Sequence, residues 1–120
     1  MNDLSDRLTR YAVNVTRFCK KLPKDPFLFD LISQLIRSSS SPGANYSEAQ
    51  SAVSLKDFHN KIRISLKELR ESLYWLRFFN EIYPGNEENK VLLLESEELV
   101  KIFVTISKKT DHFTRPKKFV

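Results

Sequence analysis

The side chains that could bind metals, move protons or hold phosphates are chiefly 20 Lys and Arg and 15 Asp and Glu, with very few softer donors among them. His59, His112 and the single cysteine, Cys19, are the only imidazole and thiol donors. A di-iron site in a helical bundle draws on Glu-x-x-His pairs. Lys56 and Lys109 stand where that motif would need glutamate. The spacing of zinc ligands is missing too. There is no Gly-rich phosphate loop and no Gly-x-Ser-x-Gly nucleophile turn. Glu68 and Glu71 share a helix face, where ion-paired or solvated carboxylates are the expected state rather than an acid–base pair. No metal and no cofactor are expected, and the chain reads as a non-enzyme.

The basic residues are better organised. At about 100° per residue, Lys56, Arg63, Lys67, Arg70, Tyr74 and Arg77 fall within an arc of about 80° on one helix. A ridge of cations with one aromatic can track phosphates. It can equally be a solvated bundle face, or a row of partners for acidic side chains on neighbouring helices. The same helix carries a second apolar set, Ile64, Trp75, Phe78, Phe79 and Ile82, assigned mostly to the side away from its core stripe. One core cannot bury both sides of a helix, so this set is expected to form a subunit interface. Tyr46 or the C-terminal segment are the alternative covers.

Four amphipathic helices are needed to position these groups. Leu4, Leu8, Tyr11, Val15, Phe18 and Leu22 recur at spacings of three and four, one apolar stripe. A second helix starts near Asp25 and carries Leu28, Leu31, Ile32, Leu35 and Ile36. The third carries Leu55, Phe58, Ile62, Leu66, Leu69, Leu73 and Leu76. The fourth opens after Asn86 as N-cap, with Glu87 and Glu88 at the positive dipole end. It runs through Leu92, Leu99, Ile102, Phe103 and Ile106 to Lys108 and Lys109. Breaks fall at Pro23–Pro26 and at Tyr83-Pro84-Gly85-Asn86. Ser41-Pro42-Gly43 permits a stop, a fresh start capped by Ser41, or a helix that runs on with a kink. The reading adopted is a kinked or locally broken helix ending near Ser51, its small residues at 38–44 admitting a close neighbour.

Bulk properties agree. The chain has 120 residues, 41% hydrophobic and 29% charged, which suits one globular domain. Two glycines are too few for an all-β chain of this size. No apolar run approaches the ~20 residues that cross a bilayer. The N-terminus shows no secretory pattern, so a cytoplasmic address is expected, with no membrane partner. Cys19 suits a small buried hydrophobe. The net charge of +5 permits binding to polyanions without establishing it. The expected architecture is all-α, an antiparallel up-down-up-down four-helix bundle over residues 1–110, followed by a basic, mostly unstructured tail at 111–120.

The middle of the chain also resembles a known family. Gln34-Leu35-Ile36-Arg37-Ser38 through Ala44-Asn45-Tyr46-Ser47-Glu48-Ala49 is similar to its QLxRSxxSxxANxxEA motif. Ser54-Leu55-Lys56-Asp57-Phe58, Lys61, Leu66 to Glu71 and Tyr74-Trp75-Leu76 follow in the family's order. That family comprises the bacterial four-helix proteins encoded in 23S rRNA intervening sequences, also labelled S23 ribosomal proteins. The likeness extends from about Leu4 to Ile106, and Pro42 departs from it where an apolar residue is usual. It implies a homopentamer around a central channel. It also implies kinship with the accessory variability determinant of diversity-generating retroelements, a basic pentamer that binds nucleic acid and a reverse transcriptase. The family motif positions Arg37, Asn45, Glu48, Glu68 and Glu71 are expected to form a structural polar network, Arg37 and Glu48 reaching Lys67 or Glu68.

The expected function is that of an oligomer binding structured RNA or DNA through Lys56, Arg63, Lys67, Arg70 and Arg77, with Arg115, Lys117 and Lys118 from the tail. Docking a partner protein through the ring surface is the alternative.

Overall fold

A computed structural model describes residues 3–114, with side chains described as far as Asp111. Four helices account for most of it: α1 (Asp3–Lys20), α2 (Phe29–Ala49), α3 (Leu55–Ile82) and α4 (Glu87–Thr114). No strand occurs among the described residues. Local chemistry sets the boundaries. Asp25 accepts the amide of Phe27 at 3.0 Å and opens a short 3-10 turn, Pro26–Leu28, ahead of α2. Ser54 Oγ accepts the amide of Asp57, and Asp57 Oδ2 reaches back to the amide of Val53. That reciprocal arrangement satisfies donors which a helix start leaves free. Asn86 caps α4 as expected, its Oδ1 accepting the amide of Asn89 at 2.9 Å. Gly85 carries the positive φ of 79° that turns the chain before it.

Each helix packs beside its chain neighbours, and α1 also lies against α4. One core runs through all four. The α1 stripe is buried from Leu8 to Leu22, with Leu4 half-buried, and Cys19 is buried beside it. Burial pushes the Cys19 thiol up to about 12, which removes it from thiolate chemistry. Tyr11 is also buried and pushed up to about 12 by desolvation. Its hydroxyl meets Ser72 Oγ at 2.8 Å, a bond between α1 and α3 through the middle of the core. Tyr46 and Phe103 meet edge-to-face between α2 and α4, at 5.8 Å between ring centres.

α2 runs unbroken through Pro42 to Ala49. Proline cannot donate to the carbonyl one turn back, a loss of one helical bond. Around it, Ser38, Ser39 and Ser40 donate their hydroxyls to carbonyls within the helix. Ser65 of α3 donates to the Pro42 carbonyl at 3.1 Å, and the ring itself is buried. The local break allowed for at Ser41–Gly43 does not occur, and the helix ends at Ala49 rather than near Ser51: tertiary packing holds a helix that local propensity would interrupt. The small residues do admit a neighbour: a Cβ on Gly43 would lie 3.6 Å from Leu8 Cβ of α1.

Three further expectations need correction. Leu55 lies outside the core, 56% exposed, because it opens α3 beyond the reach of its neighbours. α4 continues through Thr114, so residues 111–114 are helical rather than part of an unstructured tail. The third concerns Phe79, which is fully buried. It continues the stripe one step beyond Leu76, at a spacing of three, and belongs to the core rather than to an outer interface.

Candidate nucleic-acid interface

α3 carries charge on both flanks, and the two flanks differ in how that charge is held. Towards α2, Arg37 donates to Glu68 at 2.8 Å and also to Glu71. The bond to Glu68 is the main reason the Arg37 guanidinium is held above its ordinary pKa. Lys61 donates to Glu48 at 2.8 Å, and that bond raises the lysine as well. The polar network between α2 and α3 is thus real but smaller than expected. Asn45 is not in it: its amide donates to Ser41 O and Oγ within α2, because a residue four positions back is nearer than anything on α3. Glu48 pairs with Lys61 and not with Arg37's partners, and Lys67 takes no part.

On the other flank Lys56, Arg63, Lys67 and Arg70 are exposed. Among the described residues none has an acidic group within 4.0 Å. Arg77, also exposed, differs from them, with Glu97 of α4 at 4.0 Å. Arg63, Lys67 and Arg70 border a shallow groove of about 770 Å³ shared with Asn60 and, from α4, Ser107. A second depression of about 440 Å³ adjoins it through Arg63 and Ser107, adding Lys108, His59 and Asp111. His59 is buried there, with Thr110 Oγ1 at 2.6 Å from Nδ1 and Asp111 Oδ1 at 3.5 Å from Nε2. It fastens the start of α3 to the end of α4. Among the described residues no group of three or more His, Cys, Asp or Glu side chains could hold a metal ion.

Lys108 is the member that sequence reasoning missed. As a C-terminal helix cation it was accounted for by the dipole alone; only packing of α4 on α3 brings it beside Arg63. Arg115, Lys117 and Lys118 lie outside the described residues. Of the apolar set, Ile64 and Ile82 are 41% and 44% exposed, Trp75 and Phe78 are half-buried against the core, and Phe79 is inside it. A chain of edge-to-face contacts runs from exposed Tyr74 through Trp75 and Phe78 to Phe79, with ring centres 5.0, 5.6 and 5.3 Å apart.

Among the described residues, fold and surface define an all-α, four-helix protein whose α3–α4 side carries positive charge with no acidic partner. The chain belongs to the 23S rRNA-intervening sequence protein family, whose match spans residues 3–105. It is also similar to a protein of unknown function from the S23 ribosomal protein family of Bacteroides thetaiotaomicron, known from a crystal structure. The two share 34% identity over 87% of this chain and 97% of the other, with a TM-score of 0.79. No curated protein matches the sequence closely enough to carry an argument. No described helix is long and apolar enough to cross a membrane.

Proposed function

We propose that this protein is a non-enzymatic, cytoplasmic oligomer that binds structured RNA or DNA through the α3–α4 flank. The observation that carries the reading is the absence of acidic partners, among the described residues, around Lys56, Arg63, Lys67 and Arg70. An unpaired cation row attracts phosphate without first giving up an internal ion pair. Arg77 extends the positive surface, and the sequence beyond the described residues adds three more cations, Arg115, Lys117 and Lys118. The subunit is an up-down-up-down antiparallel bundle. In support, contacts climb one helix as they descend the next: Arg7 to Glu95 but Lys21 to Glu88, and Arg37 to Glu68 but Glu48 to Lys61. The subunits assemble as a ring of five, a reading in which the exposed Ile64 and Ile82 and the half-buried Trp75 and Phe78 support self-association and the count rests on the family resemblance. Repetition of one basic flank around a ring raises avidity without stronger single contacts.

A salt titration tests this. About four neutralised phosphates give a log–log slope of about −3.6 on a duplex, or roughly a 150-fold loss of affinity between 0.05 and 0.2 M salt. Arg63→Glu with Arg70→Glu should abolish binding while light scattering still reports the same assembly. Binding that ignores salt, or survives the reversal, removes the proposal. A second reading has its own support: Tyr74, Arg77, Phe78 and Ile82 line a depression of about 410 Å³ that would seat a protein partner. Unchanged partner capture by the charge-reversed variant would favour it.

A further inference from the structure

The α3–α4 groove contains more than charge. A surface that reads phosphates alone needs only cations, because a duplex hides the faces of its bases. Here two uncharged hydrogen-bonding side chains, Asn60 and Ser107, line the same groove as Arg63, Lys67 and Arg70. Neither side chain has a hydrogen-bond partner among the described residues. One helical turn beyond Arg70 stands Tyr74, 57% exposed and on the same arc as the cations. Its ring is not a loose surface aromatic. Trp75 holds it edge-on at 5.0 Å, and through Phe78 the stack reaches buried Phe79. A preset, exposed ring beside a line of cations gives an unstacked base a surface at little ordering cost.

The geometry points to single-stranded nucleic acid as the ligand class of this groove, an inference that rests on the proposed binding flank and narrows it. The phosphates lie along Lys108, Arg63, Lys67 and Arg70. An unpaired base stacks on Tyr74, and Asn60 and Ser107 offer hydrogen bonds to sugar or base edges. The helical rise places Arg63 and Arg70 about 10 Å apart along the axis, a span of a few nucleotides. Among the described residues that line the two depressions along the cations, Asp111 is the one carboxylate, at 3.5 Å from His59 Nε2, and Glu81 borders the far side of Tyr74. A duplex laid on the same face would meet the cations and leave Tyr74 without a partner.

Fluorescence anisotropy on the full chain tests it, with labelled single strands of about twelve nucleotides set against duplexes of the same sequence and length. The single strand is expected to bind about ten-fold more tightly at equal salt, the worth of one stacked base. Tyr74→Ala should erase that preference and leave duplex affinity where it was. Tyr74→Phe, which keeps the ring, should restore the preference, and a thermal melt of each variant checks the fold. Equal or tighter duplex binding overturns the single-strand inference while the binding flank stands. A preference that persists in Tyr74→Ala overturns it as well. Failure of every nucleic acid to bind overturns both.

Discussion

The two flanks of α3 contain similar cations in opposite circumstances. Facing α2, each cation meets a carboxylate: Arg37 holds Glu68 and Glu71, and Glu48 holds Lys61. Facing α4, Arg63, Lys67 and Arg70 have no acidic partner among the described residues, and Lys108 joins them across the groove. The difference lies in the neighbouring helices. α4 sends Ser107 and Lys108 towards α3 at this level, where its one described carboxylate, Asp111, lies at 3.5 Å from His59, and it places its glutamates nearer its own start, at Glu87, Glu88, Glu95, Glu97 and Glu98. Residue type therefore says little about what a cation does; the helix it faces decides. On one flank charge ties helices together, and on the other it remains available to an outside anion.

The largest effect that would break this contrast is reversal on the paired flank. Arg37→Glu would set three carboxylates where one guanidinium and two carboxylates now sit. Half of the Arg37 side chain is exposed, so screening keeps the loss to about 2 kcal/mol, read by chemical denaturation. Nucleic-acid affinity should change less than two-fold beyond the effect of net charge. A variant as stable as the parent that lost binding would invert the roles of the two flanks.

A smaller effect sharpens the comparison. Glu68→Gln with Glu71→Gln releases Arg37 from its partners while leaving the shapes nearly intact. Stability should fall by about 1 kcal/mol, since a charged hydrogen bond becomes a neutral one. Affinity for a polyanion should rise two- to three-fold, with a salt slope steeper by less than one phosphate. Weaker binding would mean that the glutamates help to shape the groove.

How much of this was legible in the sequence differs by kind of feature. Periodicity located all four helices, because an apolar stripe at spacings of three and four has few other readings. Asn86 as a cap was visible for the same local reason. Phe79 was misplaced because it stands among aromatic neighbours; spacing from Leu76 was the better guide, and side-chain type misled. The stripe on α3 also contains Ser65, Ser72 and His59, all buried. Nothing local marks a serine or histidine as core, since their partners, Pro42, Tyr11 and Thr110, are on other helices. Pro42 is the reverse case, a strong local signal overruled by packing. The basic arc was legible as an arc, but whether it was free or paired was not. That depended on α4, fifty residues away or less along the chain yet invisible in the spacing of α3 alone.

The smallest expected effect concerns Arg77, the end of the arc. It shares the angular position of the free cations but lies 4.0 Å from Glu97 and also borders the depression formed by Phe78 and Ile82. An exposed pair at that distance contributes little to stability, within about 0.5 kcal/mol. Its charge is already partly met by Glu97, so Arg77→Ala should weaken nucleic-acid binding less than two-fold. Arg70→Ala, two turns nearer the groove, should weaken it several-fold. Parallel anisotropy titrations of the two variants read the difference directly. If Arg77 proves the costlier loss, the anion track runs towards the end of α3 and away from Lys108, and pairing with Glu97 does not withhold a cation from solution. If the order holds, the presence or absence of a carboxylate across the α3–α4 seam is what divides an arc of like residues into a binding segment and an inert one.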